Sequence, residues 1–301
     1  QAQQPVVQPT SCHNTCMHVP IRRPTPSPNT PPTFTWCSEG EPLAQCGAVR
    51  ACRASTPTAV PEEVRERLGL DVFYQKHLDA MGVPIVSASE VDDRAFQEAC
   101  AIIAVMLSKR PEVVAPLRAN KVRVGIIGRN QVTSDMPEHH DLDTMYPGTD
   151  WDIYRGLGAT IDRPLSSVGE ENLLGLPRGA RPDGDPYAGE SIMVHEFAHT
   201  FLEMGVFFLP EESKAKGELT ALYNNALAAG TFDDTYADDT WQEYWAEGVQ
   251  TWFETNLTAD PPNGIHGPID TRDELRANDP DLALFISRFF FERDFEELHS
   301  K

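Results

Sequence analysis

The sequence predicts an α+β domain with a helical C-terminal half, preceded by an irregular arm held by disulfides. Apolar residues recur at helical spacing in most segments after residue 189. Before them, residues 121–128 alternate and then become apolar, as a strand entering a core does. Residues 1–60 are instead rich in Pro, Thr, Ser and Cys, a composition that forms no helices and offers little apolar surface. We therefore expect an arm at residues 1–60 and one domain at residues 61–301.

Each further element of the domain follows from its own pattern. Residues 61–81 begin with Pro-Glu-Glu and continue at helical spacing, which predicts a helix. Residues 91–107 predict a second helix, whose apolar stripe consists of Phe96, Cys100, Ile103 and Met106. Residues 129–188 hold many Pro, Gly and Asp, so we expect loops and an edge strand there. The remaining predicted helices span residues 189–204, 214–229, 240–256 and 281–293.

The cysteines indicate a secreted protein. There are six, and an even number crowded into a Pro-rich head is typical of three disulfides. They are Cys12, Cys16, Cys37, Cys46, Cys52 and Cys100. Because Cys100 lies far downstream in a helical pattern, we expect one disulfide to tie the arm to the domain. A metal clip at Cys12 and Cys16 is an alternative, but no second such pair completes it.

Other sequence features agree with an extracellular location. The chain opens at Gln1 with no Met and no signal-like apolar stretch, which suits a processed secreted form. Asn256-Leu257-Thr258 is the single N-glycosylation sequon and predicts a glycoprotein. The sequence contains no run of 18 apolar residues, so we expect no membrane span. The balance of 46 acidic against 25 basic residues, a net charge of −21, argues against nucleic acid as a partner.

The most informative motif is His195-Glu196-Phe197-Ala198-His199, an H-E-x-x-H string within an apolar helical pattern. Residues i and i+4 share one face of a helix, so both imidazoles can bind one metal ion. Neutral imidazoles suit zinc, and Glu196 can act as the general base for a bound water. A chance match of two surface or capped histidines is the alternative. The apolar flanks favour a zinc site at His195 and His199.

Two histidines leave a catalytic zinc one protein ligand short. Glu243 and Glu247 form an i,i+4 pair on a downstream helix with a strongly apolar face. One carboxylate can bind zinc while the other orients a ligand histidine. A solvated acidic edge at the start of the helix is the alternative.

At these residues the chain resembles a known family. HEFAH, followed after 43 residues by EYWAE, resembles the gluzincin metallopeptidases, whose second zinc helix donates a Glu. It is similar in particular to the catalytic domain of anthrax lethal factor and its relatives, over residues 189–254. The resemblance implies a zincin-like domain with Glu196 as the base, Tyr236 as a stabiliser of the tetrahedral intermediate, and the zinc ligands His195, His199 and Glu243. It says nothing about the substrate.

A second resemblance leaves the third ligand open. Gly230-Thr231-Phe232-Asp233-Asp234 resembles the G-T-x-x-D signature of the aspzincins, in which the Asp is the ligand. The Tyr-Gly expected after that Asp stands here as Tyr236-Ala237, one place early. Asp234 therefore competes with Glu243. The metzincin arrangement is excluded, because residues 200–206 hold no third histidine.

Together these patterns predict a secreted zinc metallohydrolase, best read as an endopeptidase acting on a protein or peptide substrate. Two alternatives stay open: a zinc hydrolase of ester, amide or glycan bonds, and a binding protein that keeps zinc for structure only. An intact Glu196 argues against the last. His139, His140 and His266 lie in loop regions and are weaker candidates for contact with substrate or a second ion. The oligomeric state cannot be read from the sequence.

Overall fold

The computed structural model describes residues 43–292, with their side chains from residue 47 onward. Within that range the chain is α+β, as the sequence predicts. Its strands are β1 (Thr58–Ala59), β2 (Lys76–Ala80), β3 (Val83–Ser87), β4 (Arg123–Ile127), β5 (Gly156–Leu157) and β6 (Leu165–Gly169). Its helices are α1 (Leu43–Ala54), α2 (Glu62–Leu68), α3 (Asp93–Leu107), α4 (Val114–Ala119), α5 (Leu142–Met145), α6 (Glu170–Leu173), α7 (Ile192–Glu203), α8 (Ala215–Ala229), α9 (Trp241–Trp252), α10 (Arg272–Asn278) and α11 (Pro280–Ser287).

The strands form one mixed sheet in the order β1-β2-β3-β4-β6-β5. The central strands β3, β4 and β6 run parallel, and every residue in them is buried. This is expected for parallel strands whose two faces are both covered. The short strand β5 pairs antiparallel with β6 and lies at the edge of the sheet. It is the edge strand that the sequence placed in residues 129–188.

Helix α3 lies at the centre of the main core. Its predicted stripe of Phe96, Cys100, Ile103 and Met106 is buried, and so are most of its remaining residues. A disulfide joins Cys100 to Cys52 on α1, which confirms the predicted tie between the arm and the domain. Gln97 reinforces this contact, because its Nε2 donates to the carbonyl oxygen of Ser55 over 2.9 Å.

Part of the region predicted to be irregular is helical. Residues 43–54 form α1, whose segment is free of proline and contains four Ala and two Arg, residues that favour helices. The expectation of a helix-free arm is therefore wrong for these residues. Cys12, Cys16 and Cys37 lie outside the described residues, as does the side chain of Cys46, so two of the three predicted disulfides stay predictions.

The predicted helix at residues 61–81 is correct only in its first third. Helix α2 ends at Leu68, where Gly69 takes the left-handed conformation with φ of 67°. Residues 76–80 form β2 instead, which turns back into β3 through Met81 and Gly82, both at positive φ. Two central residues at positive φ are typical of a tight hairpin turn. The sequence also missed β6, because its buried Ser166 and Ser167 read as polar loop residues.

The helical C-terminal half agrees with prediction. Helices α7, α8, α9 and α11 fall on the four predicted segments, and α10 is an addition. Among the described helices none alone is long and apolar enough to cross a membrane. The bent pair Ile192–Phe208 and Pro210–Ala229 meets those criteria only when taken together.

Candidate metal centre

Helix α7 presents the H-E-x-x-H residues from a well-fixed start. Ser191 caps the helix by accepting a hydrogen bond from the amide of Val194, and Asn172 Oδ1 accepts one from the amide of Ile192 over 2.9 Å. Met193, Val194 and Phe197 are buried in the core. The apolar flanks therefore anchor the helix, and its remaining face points His195 and His199 toward α9.

Helix α9 brings Glu243 to the same point. Thr240 caps this helix by accepting from the amide of Glu243, which fixes the first turn. Trp245 is buried and its Nε1 donates to the carbonyl oxygen of Ala198 on α7 over 2.9 Å. This bond ties the two helices together next to His199 and two residues from Glu243.

Three potential ligand atoms converge between the helices. Glu243 Oε2 lies 3.0 Å from His195 Nε2 and 3.3 Å from His199 Nε2, and the two imidazole nitrogens are 3.1 Å apart. The exposed fractions of the three side chains are 9%, 11% and 18% for His195, His199 and Glu243. Among the described residues, this is the group of His, Cys, Asp and Glu side chains that could hold a metal ion.

These distances suit zinc. A tetrahedral site with bonds of ~2.0–2.1 Å places its ligand atoms roughly 3.3 Å apart. The three observed separations are close to that value, so one ion would reach all three atoms after small adjustments. Two imidazoles and one carboxylate also match the donor set of a catalytic site that keeps a fourth position open.

The outer nitrogen of His195 has two acceptors. Nδ1 lies 2.7 Å from Oε1 of the fully buried Gln250 and 3.3 Å from Oε1 of Glu247. A hydrogen on Nδ1 leaves the lone pair of Nε2 free for a metal. The sequence analysis expected one of the carboxylates of Glu243 and Glu247 to orient a ligand histidine, but it did not single out Gln250. The spacing could have indicated Gln250, since positions i, i+4 and i+7 share one face of a helix and are occupied here by Glu243, Glu247 and Gln250.

The charges of the centre favour a cation. Burial acts to lower the pKa of His195, but hydrogen bonding to Glu243 and Glu247 outweighs it and raises that pKa well above its ordinary value. Burial acts to raise the pKa of Glu243, but hydrogen bonding to His195 and His199 holds that pKa well below its usual range. The centre is thus anionic unless it holds a proton or a metal ion.

Glu196 packs against the edge strand and interacts electrostatically with His195, His199 and Glu243. A Cβ built on Gly156 of β5 would stand 2.8 Å from Glu196 Cγ and 3.0 Å from its Oε1. A Cβ built on Gly158 would likewise stand 2.9 Å from His199 Cβ. The strand can come this close because both positions lack a side chain. Burial raises the pKa of Glu196, the direction that suits a carboxylate meant to carry a proton.

Tyr236 reaches the same centre from the segment before α9. Its ring centroid lies 6.1 Å from that of His195, and the rings are nearly parallel. Its amide donates to the carbonyl oxygen of Ile265 over 2.8 Å, which fixes the backbone. Burial, followed by the charges of Glu243 and Glu196, raises the pKa of Tyr236, so its hydroxyl remains a hydrogen-bond donor.

The other candidates are not among the three converging ligand residues. Asp234 is exposed, has φ of 60°, and is not among the converging ligand atoms. His139 is buried with Nε2 3.2 Å from Ser167 Oγ on the sheet, and His140 is exposed. His266 Nε2 lies 3.8 Å from Glu190 Oε1. Burial raises the pKa of Glu190 to about 7, with Glu247 adding to the effect.

The sequon residue Asn256 contacts the same neighbourhood. Its Nδ2, the atom that a glycan would modify, donates to Glu247 Oε2 over 2.8 Å. A glycan there would replace this contact. Glycosylation remains a prediction from the sequence.

Comparisons with known proteins find similarity among solved structures. No family model matches the chain, and no curated protein is significantly similar to it. Among solved structures, the PRO-PRO endopeptidase (PPEP-2) from Paenibacillus alvei is similar, with a TM-score of 0.43 and 18% identity. The match covers 68% of this chain and 97% of that one. A similarity of this size does not assign an activity to this chain, and it does not bear on the resemblance to anthrax lethal factor.

Proposed function

We propose that the protein is a secreted zinc-dependent endopeptidase of gluzincin type. One observation carries the proposal: two imidazole nitrogens and one carboxylate oxygen converge within 3.0–3.3 Å of one another, and Glu196 interacts electrostatically with all three residues. His195, His199 and Glu243 would hold the ion. The Cys52–Cys100 disulfide supports the extracellular location, because such bonds persist in oxidising compartments.

The chain's own residues supply the proton transfers. Zinc, when bound, would polarise a substrate carbonyl and lower the pKa of a water. Glu196 takes a proton from the attacking water on its carboxylate and then gives it to the leaving nitrogen. The Tyr236 hydroxyl donates to the oxygen on which negative charge develops. Gln250 keeps the His195 ring in the orientation and tautomer that binding requires.

Hydrolysis and metal binding are separable by one substitution. Glu196→Gln removes the proton acceptor but keeps the size and polarity of the side chain. We expect it to retain about one zinc per chain and to lose at least ~100-fold in kcat. Zinc is measured by elemental analysis, and turnover by mass spectrometry on a diverse peptide library beside a glycan panel.

Each outcome of that experiment decides one part of the proposal. Near-normal turnover of Glu196→Gln would remove Glu196 as the base. Wild-type protein that neither contains zinc nor binds it when added would overturn the zinc proposal. Cleavage of the glycan panel with intact peptides would keep the zinc hydrolase and reject the endopeptidase.

A further inference from the structure

A second feature of the molecule is a cavity of about 260 Å³ beside α9. Its walls come from the segment between α8 and α9 at residues 230–237, from the C-terminal half of α9, and from the loop at residues 262–269. Backbone hydrogen bonds join the two loop segments, from Tyr236 to Ile265 over 2.8 Å and from Gly264 to Asp234 over 2.9 Å. The space is slightly below the roughly 300–1,000 Å³ of pockets for drug-sized ligands, so it suits a small molecule or a single side chain.

The lining combines apolar walls with negative charge. Phe232, Ile265 and Ile269 supply apolar surface, together with two prolines. Glu247 and Asp233 are the charged members, and none of the fourteen described lining residues is a lysine or an arginine. Such a cavity repels anions and favours a cation that carries apolar atoms.

Glu247 has accepting capacity left for a ligand. It is only 7% exposed, and its Oε2 accepts from Asn256 Nδ2 over 2.8 Å. Its Oε1 lies 3.3 Å from His195 Nδ1, but Gln250 is the nearer acceptor for that nitrogen at 2.7 Å. A carboxylate that is buried beside an open cavity is stabilised by a cationic donor.

We propose that this cavity binds a primary ammonium group on a short apolar stem, with Glu247 as its counter-ion. The stem would lie against Phe232, Ile265 and Ile269. Two sources share this chemistry, a free small amine and the lysine side chain of a peptide. The ammonium would contact the same carboxylate that stands next to His195, so the cavity adjoins the metal centre but is lined by other residues.

The probe pair is 4-fluorobenzylamine and 4-fluorobenzyl alcohol, which differ in charge but hardly in shape. Their binding to the zinc-loaded protein is measured by ¹⁹F NMR titration. We expect the amine to bind with a Kd on the order of 1 mM and the alcohol at least ~10-fold more weakly. Equal binding of the two probes, or binding of neither, would overturn the proposal.

Three variants locate the binding. Glu247→Gln should weaken amine binding about tenfold or more, because the ion pair becomes a neutral contact. Ile265→Trp narrows the cavity from an exposed position, and it should lose the amine while keeping its melting temperature and zinc content. His199→Ala, which disturbs the metal centre, should bind the amine as the wild type does. If His199→Ala lost amine binding while the other two variants kept it, the amine would bind at the metal and the cavity would be rejected as its site.

A second pair of probes distinguishes the two sources. Nα-acetyl-lysine amide should bind more tightly than Nα-acetyl-norleucine amide if the occupant is a peptide lysine. If only the free amine binds, a peptide lysine is overturned as the occupant and the small amine is retained. All these measurements follow binding without turnover. A failure to bind the amine would therefore not contradict the proposed hydrolase activity. A lack of hydrolase activity would likewise not contradict amine binding in the cavity.

Discussion

The contacts of His195 show how much of a metal site depends on residues that are not ligands. Gln250 faces His195 with its carbonyl oxygen, because its Nε2 donates to the carbonyl oxygen of Ser191 over 3.2 Å. That second bond fixes which end of the amide meets Nδ1. Ser191 is also the cap of α7, so Gln250 links the start of the metal-ligand helix to its first ligand. Orientation of the imidazole is therefore set by the packing of α9 on α7.

The contribution of Gln250 can be measured with two substitutions. Gln250→Met keeps the volume but removes the acceptor, and we expect zinc affinity to fall by about 10–100-fold. Gln250→Glu keeps an acceptor for Nδ1 and should retain affinity to within a few-fold. Competition with a chromogenic chelator measures both. If Gln250→Met binds zinc as the wild type does, Glu247 alone orients His195.

The identity of the third ligand is a second question at this scale. Glu243→Ala should weaken zinc binding by well over ~10-fold and abolish activity, because it removes a direct ligand. Asp234→Ala should have a mild effect, since Asp234 is exposed and outside the converging group. Glu247→Ala should fall between the two, near the ~10–100-fold typical of residues that support a ligand. The reverse order, measured by the same competition assay, would move the protein to the aspzincins.

At the scale of elements, the contact between β5 and α7 shapes the centre. Arg155, just before β5, is buried and forms two hydrogen bonds with the buried carboxylate of Glu171, at 2.5 and 2.9 Å. The amide of Ala159, just after β5, donates to Thr200 Oγ1 on α7 over 3.0 Å. The strand is thus held at both ends. Gly156 and Gly158 then let its backbone lie directly on Glu196 and His199.

Adding one methyl group tests this close packing. A Cβ on Gly156 would stand 2.5 Å from Ile192 Cγ2, too near for the buried strand to accept without moving. We expect Gly156→Ala to destabilise the protein by about 1–3 kcal/mol and to lower kcat by displacing Glu196. Urea denaturation and peptide turnover are the measurements.

The matched control is Gly217 in α8, where an added Cβ meets nothing within 4 Å. Gly217→Ala should stabilise the protein by about 0.5–1 kcal/mol, since alanine is the better helix former, and should leave turnover unchanged. If Gly156→Ala were equally harmless, β5 would not press on the centre.

At the scale of the whole molecule, the sheet and α3 form the frame on which the centre is built. Helix α3 is buried on nearly all sides, and the Cys52–Cys100 disulfide fastens α1 to it. The salt bridge between Arg53 and Glu98 lies beside that disulfide. Burial raises the pKa of Glu98 to about 7. Helix α1, the part of the arm that carries Cys52, is therefore joined to the core, whereas the metal centre lies between α7 and α9.

His139 makes the stability of this frame depend on pH. Its Nδ1 is buried with no hydrogen-bond partner among the described atoms, and burial lowers its pKa to about 4. The unfolded chain binds that proton near pH 6.5, so between pH 6.5 and 4 only the unfolded state is protonated. The free energy of unfolding should therefore fall as the pH falls, by up to about 3 kcal/mol from this group.

Urea denaturation from pH 7 to 4 measures the effect. His139→Gln, which cannot titrate, should lose less stability than the wild type across that window. His140→Gln, at the exposed neighbouring position, should follow the wild type. Parallel curves for the wild type and His139→Gln would show that His139 does not titrate on unfolding in this window.

Much of this molecule could be read from local patterns. The helices α3, α7, α8, α9 and α11 and the strand β4 follow from apolar spacing, because that spacing decides which faces are buried. Helix α1 and the strands β2, β3 and β6 were among the elements missed. The patterns of the strands are short, or they place buried serines where a sequence suggests a loop, and α1 adjoins a Pro-rich stretch whose composition predicts no helix.

The candidate ligands and base, His195, His199, Glu243 and Glu196, follow from residue types and spacing, because a helix places i and i+4 on one face whatever surrounds it. Only the tertiary structure decided which carboxylate lies 3.0 Å from His195 and that Gln250 and Glu247 both lie close to His195 Nδ1. It also decided that two glycines allow β5 to pack closely against Glu196 and His199. It also decided that Glu247 faces a cavity. These are contacts between segments far apart in the chain, so they depend on how the helices pack and not on the spacing within any one of them.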